Sequence, residues 1–200
     1  MSSDAMAPLR DPTLSSYREQ LVEYVFLSEL LQDCWFRRRQ KVDVLRADVD
    51  GAGYDLVLDC QGVIRHVQLK SMVEGGKRSH VDIQLSLCSQ ASGAVVMVVL
   101  ESDPARLVRL SYLALGGAPG KSLPDISTFK VTKHSKGNAE GVKAERPGLR
   151  CVPLSGFARL STMADLSDWL FGPPRAGYET APSGDEAEGA AEDDGEGEAA

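Results

Sequence analysis

The sequence predicts an α/β domain, and three stretches carry that prediction. Residues 15–33 repeat apolar side chains at helical steps. Residues 54–59 and 63–70 are two β-rich runs around a short Gly-containing turn. Residues 94–100 form a continuous apolar run of the kind that fills a buried central strand.

The helix begins at Ser15 or Ser16, with Glu19 three residues after Ser16 at the capping-box spacing. Its apolar residues Leu21, Val22, Val25, Phe26, Leu30 and Leu31 recur three and four apart, and it ends near Asp33. Residues 41–47 suit a short first strand. The hairpin 54–70 turns at Gln61-Gly62. Residues 71–80 are polar and Gly-rich, hence a loop. Val81, Ile83, Leu85 and Leu87 alternate as in a strand, although a helix through Gln90 also fits. Further strands are expected over 107–115 and 150–154, separated by a polar, loop-rich stretch over 116–148. An amphipathic helix over 162–171 is stopped by Gly172-Pro173-Pro174. Residues 1–13 read as a loose arm. Residues 176–200 are mostly Gly, Ala, Glu and Asp, too poor in apolar surface to order themselves. The folded domain is therefore expected over 14–175.

The net charge of -7 is unevenly placed. Nine of the 29 acidic residues lie from Glu179 onward, where no basic residue occurs. The remaining 20 face 22 Lys and Arg, so the body is about +2 and a nucleic-acid partner is not excluded. No run of about 18 apolar residues suggests a membrane span. The N-terminus lacks a basic-then-apolar leader pattern, so a cytoplasmic chain is expected. Cys34, Cys60, Cys88 and Cys151 are scattered without CxxC spacing, which argues against a zinc ribbon or disulfide framework. His80 and His134 have no Cys or carboxylate at ligand spacing, and His66, alone on a strand, reads as a structural or surface residue. Residues 116–122 lack the first glycine of a phosphate loop, position 115 being leucine.

Chemistry concentrates on the hairpin. If Gln61-Gly62 are its turn residues, Asp59 faces Ile64, Val57 faces His66 and Asp55 faces Gln68. Strand side chains alternate between faces, so Asp55, Gln68 and Lys70 then share one face. A carboxylate, an amide oxygen and an amine in that arrangement suit phosphodiester hydrolysis. Asp55 would hold a hard divalent cation, Mg²⁺ or Mn²⁺; Gln68 would orient a metal-bound water or donate its side-chain oxygen, and the Leu69 backbone oxygen is a further ligand. Lys70 would stabilise negative charge developing at the phosphate. Spacing alone favours a solvated strand face slightly over this site.

Tyr54-Asp55 followed by His66-Val67-Gln68-Leu69-Lys70-Ser71 resembles the active hairpin of the PD-(D/E)XK nuclease superfamily. The likeness is to branches with Gln in the Glu position, as in Mrr-like restriction enzymes and related bacterial domains. It spans residues 16–100 and implies a restriction-endonuclease-like αβββαβ core, a mixed central sheet flanked by helices. It also implies that Asp55, Gln68 and Lys70 take the D, E/Q and K roles. A glutamate of the first helix joins the site in this superfamily. Glu23 and Glu19 are the candidates, Glu23 preferred, with Glu29 third. Two departures are visible: Gln68 is neutral, and Gly53-Tyr54-Asp55 lacks the proline that names the superfamily.

Lys130, Lys133, His134, Lys136, Lys143, Arg146 and Arg150 form a basic stretch suited to DNA phosphates, and Arg37, Arg38, Arg39 and Lys41 form a second. The expected function is a bacterial Mg²⁺-dependent DNA endonuclease, in restriction or defence by analogy with the superfamily. The alternative is an inactive nuclease-like module that binds nucleic acid or protein. DNA, a second copy of the chain and a protein met by the acidic tail are the expected partners.

Overall fold

A computed structural model describes residues 7–47, 51–103, 107–137, 139 and 141–174. The acidic tail lies outside the described residues. So do the first six residues of the arm, whose remainder is not loose. Ala7–Arg10 is a short helix (α1), and Pro12–Leu14 is a 3-10 turn capped by Asp11, whose carboxylate accepts from the Thr13 N–H at 2.8 Å. The main helix, α2 (Ser15–Gln32), continues directly from that turn. The expected Ser16–Glu19 capping box does not form, because the preceding turn already places both serines inside the helix.

Among the described residues nine strands follow: β1 (Asp43–Arg46), β2 (Leu56–Cys60), β3 (Val63–Val73), β4 (His80–Gln84), β5 (Gly93–Asp103), β6 (Leu107–Gly116), β7 (Val131–Lys133), β8 (Glu145–Pro153) and β9 (Ala158–Leu160). The last helix is α3 (Met163–Phe171), closed at its start by a Thr162–Asp165 capping box. Six strands make a central sheet in the order β1-β2-β3-β5-β6-β9, and β4-β8-β7 make a smaller one. β3 pairs in parallel with β5, and every other pairing is antiparallel, so the central sheet is mixed.

The β2–β3 hairpin has the predicted register, with Asp59 opposite Ile64 and Val57 opposite His66. Its turn is Gln61-Gly62, both at positive φ (53° and 83°), the conformation that matches the right-handed twist of paired strands. Asp59 Oδ1 accepts from the Gly62 N–H at 2.8 Å and helps hold the turn.

The layers follow from alternation on β5. Ala94, Val96, Val98 and Leu100 face a core shared with Val22, Phe26 and Leu30 of α2 and Leu166 and Leu170 of α3. Val95 and Met97 face the opposite core, shared with Val81, Ile83, Leu87 and Val152 beneath the small sheet. Helices, central sheet and small sheet thus form three layers, and a strand covered on both faces reads as an unbroken apolar run.

The link between β3 and β5 departs from the expected αβββαβ order. It carries β4 and a 3-10 turn (Leu85–Ser89) where a helix was expected. β4 joins the small sheet through β8, not the central one. The alternation of Val81 and Ile83 was a true strand signal, and the helical option over this stretch is set aside. The second departure is on α2, where Leu21 and Leu31 remain about 40% exposed instead of joining the core.

Candidate functional site

The open end of the β2–β3 hairpin builds a cleft of about 700 Å³. Asp55 stands one residue before β2, where its N–H donates to the Val67 carbonyl at 2.9 Å and prolongs the ladder. Its carboxylate then turns to the β3 backbone, Oδ2 accepting from the Leu69 N–H at 2.7 Å. Lys70, the next residue on β3, lines the same cleft, and its side chain makes no hydrogen bond or ion pair among the described residues. The N-terminal half of α2 forms the facing wall and contributes Glu19 and Glu23. Glu23 is paired with Arg46 of β1 (Oε1 to Nε 2.6 Å), whereas Glu19 has no such partner among the described residues.

Of the predicted site residues, Asp55, Lys70, Glu19 and Glu23 come together, and Leu69 lies among them. Gln68 does not line the cleft. It is only 2% exposed, packed beneath the small sheet, and its Oε1 accepts from the Gln84 N–H of β4 at 3.4 Å. That position follows from the pairing of Gln68 with Val95, which sends its side chain to the small-sheet layer. Glu29 is elsewhere, accepting from the Tyr112 hydroxyl at 2.8 Å in a part-buried contact on the helix side of the sheet, where burial pushes the tyrosine pKa upward. Glu29 is therefore a packing residue.

A second, smaller groove of about 410 Å³ adjoins the cleft and shares Lys70 and Arg78 with it. Its other lining residues include His80, Asp82, Gln84 and Arg146. Asp82 is turned to Thr132, whose hydroxyl donates to Oδ1 at 2.8 Å. Lys130, Lys133, Lys136, Lys143 and Arg146 are all exposed, on or beside the β7–β8 hairpin, and of these Arg146 reaches the groove. Lys133 approaches Glu145 at 3.9 Å. Arg150 is spent on backbone carbonyls of Ser127 and Pro147.

The second predicted basic cluster is largely structural. Arg37 bonds Asp33, Ser167 and Asp168, while buried Arg38 bonds Asp168 and the Gly172 carbonyl and lies over the Phe171 ring. These contacts tie the π-helical turn Asp33–Arg37 to α3. His66 likewise serves packing, with Nδ1 2.7 Å from the Ala91 carbonyl and its ring against Tyr54.

Sequence reasoning missed Arg46 and Arg78. Arg46 reaches the site because β1 pairs with β2, setting it opposite Leu56 beside Asp55. Arg78 sits in the β3–β4 loop, whose path nothing local specifies.

Among the described residues, no three His, Cys, Asp or Glu side chains gather into a metal-ligand group. What the cleft offers a cation is the Asp55 and Glu19 carboxylates, which suits a hard ion that keeps several waters and few protein ligands. A further cavity of about 1120 Å³, between β5–β6 and β8, holds none of Asp55, Lys70, Glu19 and Glu23, though Arg78 and His80 line it as well. No helix among the described residues is long and apolar enough to cross a membrane. No protein-family model, curated protein or solved structure matches the chain.

Proposed function

We propose that the chain is a divalent-metal-dependent DNA endonuclease with a restriction-endonuclease-like core, acting in restriction or defence. The observation that carries this reading is the meeting of Asp55, Lys70, Glu19 and Glu23 in one cleft that opens onto a basic groove. The α2-β1-β2-β3 order with β5 parallel to β3 supports the same reading.

Asp55 holds the cation, Mg²⁺ or Mn²⁺, with Glu19 across the cleft as the second carboxylate. When bound, the ion neutralises phosphate charge and lowers the pKa of water. Lys70 stabilises the negative charge that builds on the phosphate oxygens during in-line attack. Arg78 and Arg146 receive a neighbouring phosphate of the same strand, giving affinity without base reading.

A second reading has its own support. Gln68 is committed to the Gln84 N–H and Glu23 to Arg46, so two residues of the superfamily pattern are already occupied. Under that reading the chain is a nuclease-like module that binds nucleic acid without cutting it.

One assay separates the two. Wild type, Asp55→Ala and Lys70→Ala are incubated with plasmid DNA and Mg²⁺ or Mn²⁺, and binding is measured in parallel. The nuclease reading expects nicking by wild type and a loss of at least about 100-fold in both variants, the scale of one lost electrostatic stabiliser. DNA binding by all three without cleavage supports the module, and equal cleavage by all three points to a contaminant.

A further inference from the structure

Helix α2 has two apolar faces, and the fold uses one of them. Val22, Phe26, Leu27 and Leu30 are buried against the central sheet. On the opposite side Leu14, Tyr17, Leu21, Tyr24, Leu31 and Trp35 are exposed, with Tyr17 at 68%. Together with Ser28 these positions step by three and four residues in strict alternation, the spacing of a helix–helix seam. Phe36, 65% exposed, extends the stripe into the π-helical turn.

The charged residues of α2 avoid this face. Glu19 and Glu23 look into the cleft, Glu29 bonds Tyr112 on the helix side of the sheet, and Arg18 donates to the Leu9 carbonyl at 2.8 Å. The polar residues between the exposed apolar ones are neutral: Gln20, which donates to the Tyr24 hydroxyl, and Gln32, which donates to Ser28. A solvated helix face ordinarily carries charge.

We infer that this stripe is the contact by which two copies of the chain pair through α2. A two-fold contact brings each residue near its own counterpart or its mirror position, so like charges would repel, and this face carries none. The seam from position 14 to 35 is about 32 Å long at the α-helical rise. With aromatic side chains of roughly 150–250 Å² each, its exposed portions offer on the order of 800 Å² per copy, the area of a standard stable interface. The chain's own acidic tail is a poor occupant, since Tyr178 is its one large apolar side chain from 176 to 200. The seam also borders the cleft, because Gln20 and Tyr24 line both, so a partner copy would stand at the cleft's edge.

Sedimentation equilibrium on the full chain tests this. Wild type at roughly 50 µM, above a micromolar dissociation constant, is expected at twice the 21.5 kDa protomer mass. Leu21→Glu with Leu31→Glu is expected to raise the dissociation constant at least about 100-fold, by burying unpaired charge, with the near-UV circular dichroism retained. Ile64→Glu, an exposed apolar position on β3, leaves the dimer intact. If the double variant loses its tertiary signal, Tyr17→Glu at the most exposed position replaces it. A wild type of 21.5 kDa, a dimer surviving the seam variants, or dissociation by Ile64→Glu as well would each overturn the inference.

Discussion

At the scale of single residues, the hairpin explains both what the sequence disclosed and what it hid. Alternation and a two-residue turn were enough to bring Asp55 and Lys70 to one end of the β2–β3 pair, because both facts are local. Gln68 lies outside the cleft for a non-local reason. The layer that covers it arrives with Gln84, sixteen residues later, and takes up its side-chain oxygen. The turn itself depends on Gly62 at φ +83°, where a Cβ meets no neighbour within 4 Å. Gly62→Ala therefore carries a purely conformational cost of about 1 kcal/mol, read as a shift in the urea midpoint at constant m. A neutral result would mean that the turn relaxes to another type.

Among elements, those with a self-contained signal were legible: α2, the hairpin, β5 and α3 all announce themselves by period or by an unbroken apolar run. The small sheet was not. β4 pairs with β8 across more than sixty residues of chain, and β7 is only three residues long, so no local pattern couples them. The join between α2 and α3 was hidden by its own chemistry, since three consecutive arginines read more readily as a DNA contact than as a clasp. In that clasp, burial pushes the Asp33 carboxyl up, but hydrogen bonds from Arg37 and Ser167 outweigh it and hold it below 3.8. The unfolded chain then binds the proton more readily, so the clasp contributes fully above about pH 4 and loses its contribution as pH falls through the folded pKa. Asp33→Asn is expected to cost about 1 kcal/mol at pH 7, given the partial exposure of Arg37, and to matter less at pH 3. Urea unfolding of both proteins at the two pH values measures this, and an equal difference at both would contradict it.

Over the whole molecule, the three layers determine where chemistry can occur. Both faces of β5 are sealed, by helices on one side and by the small sheet on the other. Polar side chains of the central sheet can therefore meet solvent mainly at its ends. The end where β2 and β3 part gathers carboxylates from α2 and the hairpin, and the small sheet brings Arg146 beside Lys70. The central claim is that Asp55 holds a divalent cation at this end. Titrating Mn²⁺ into the metal-free protein, and following the free-ion signal by electron paramagnetic resonance, tests it without any substrate. Wild type is expected to bind one Mn²⁺ per chain and Asp55→Asn to lose that site, with the far-UV circular dichroism unchanged. Equal Mn²⁺ binding by both proteins, or none by wild type at millimolar metal, would contradict it.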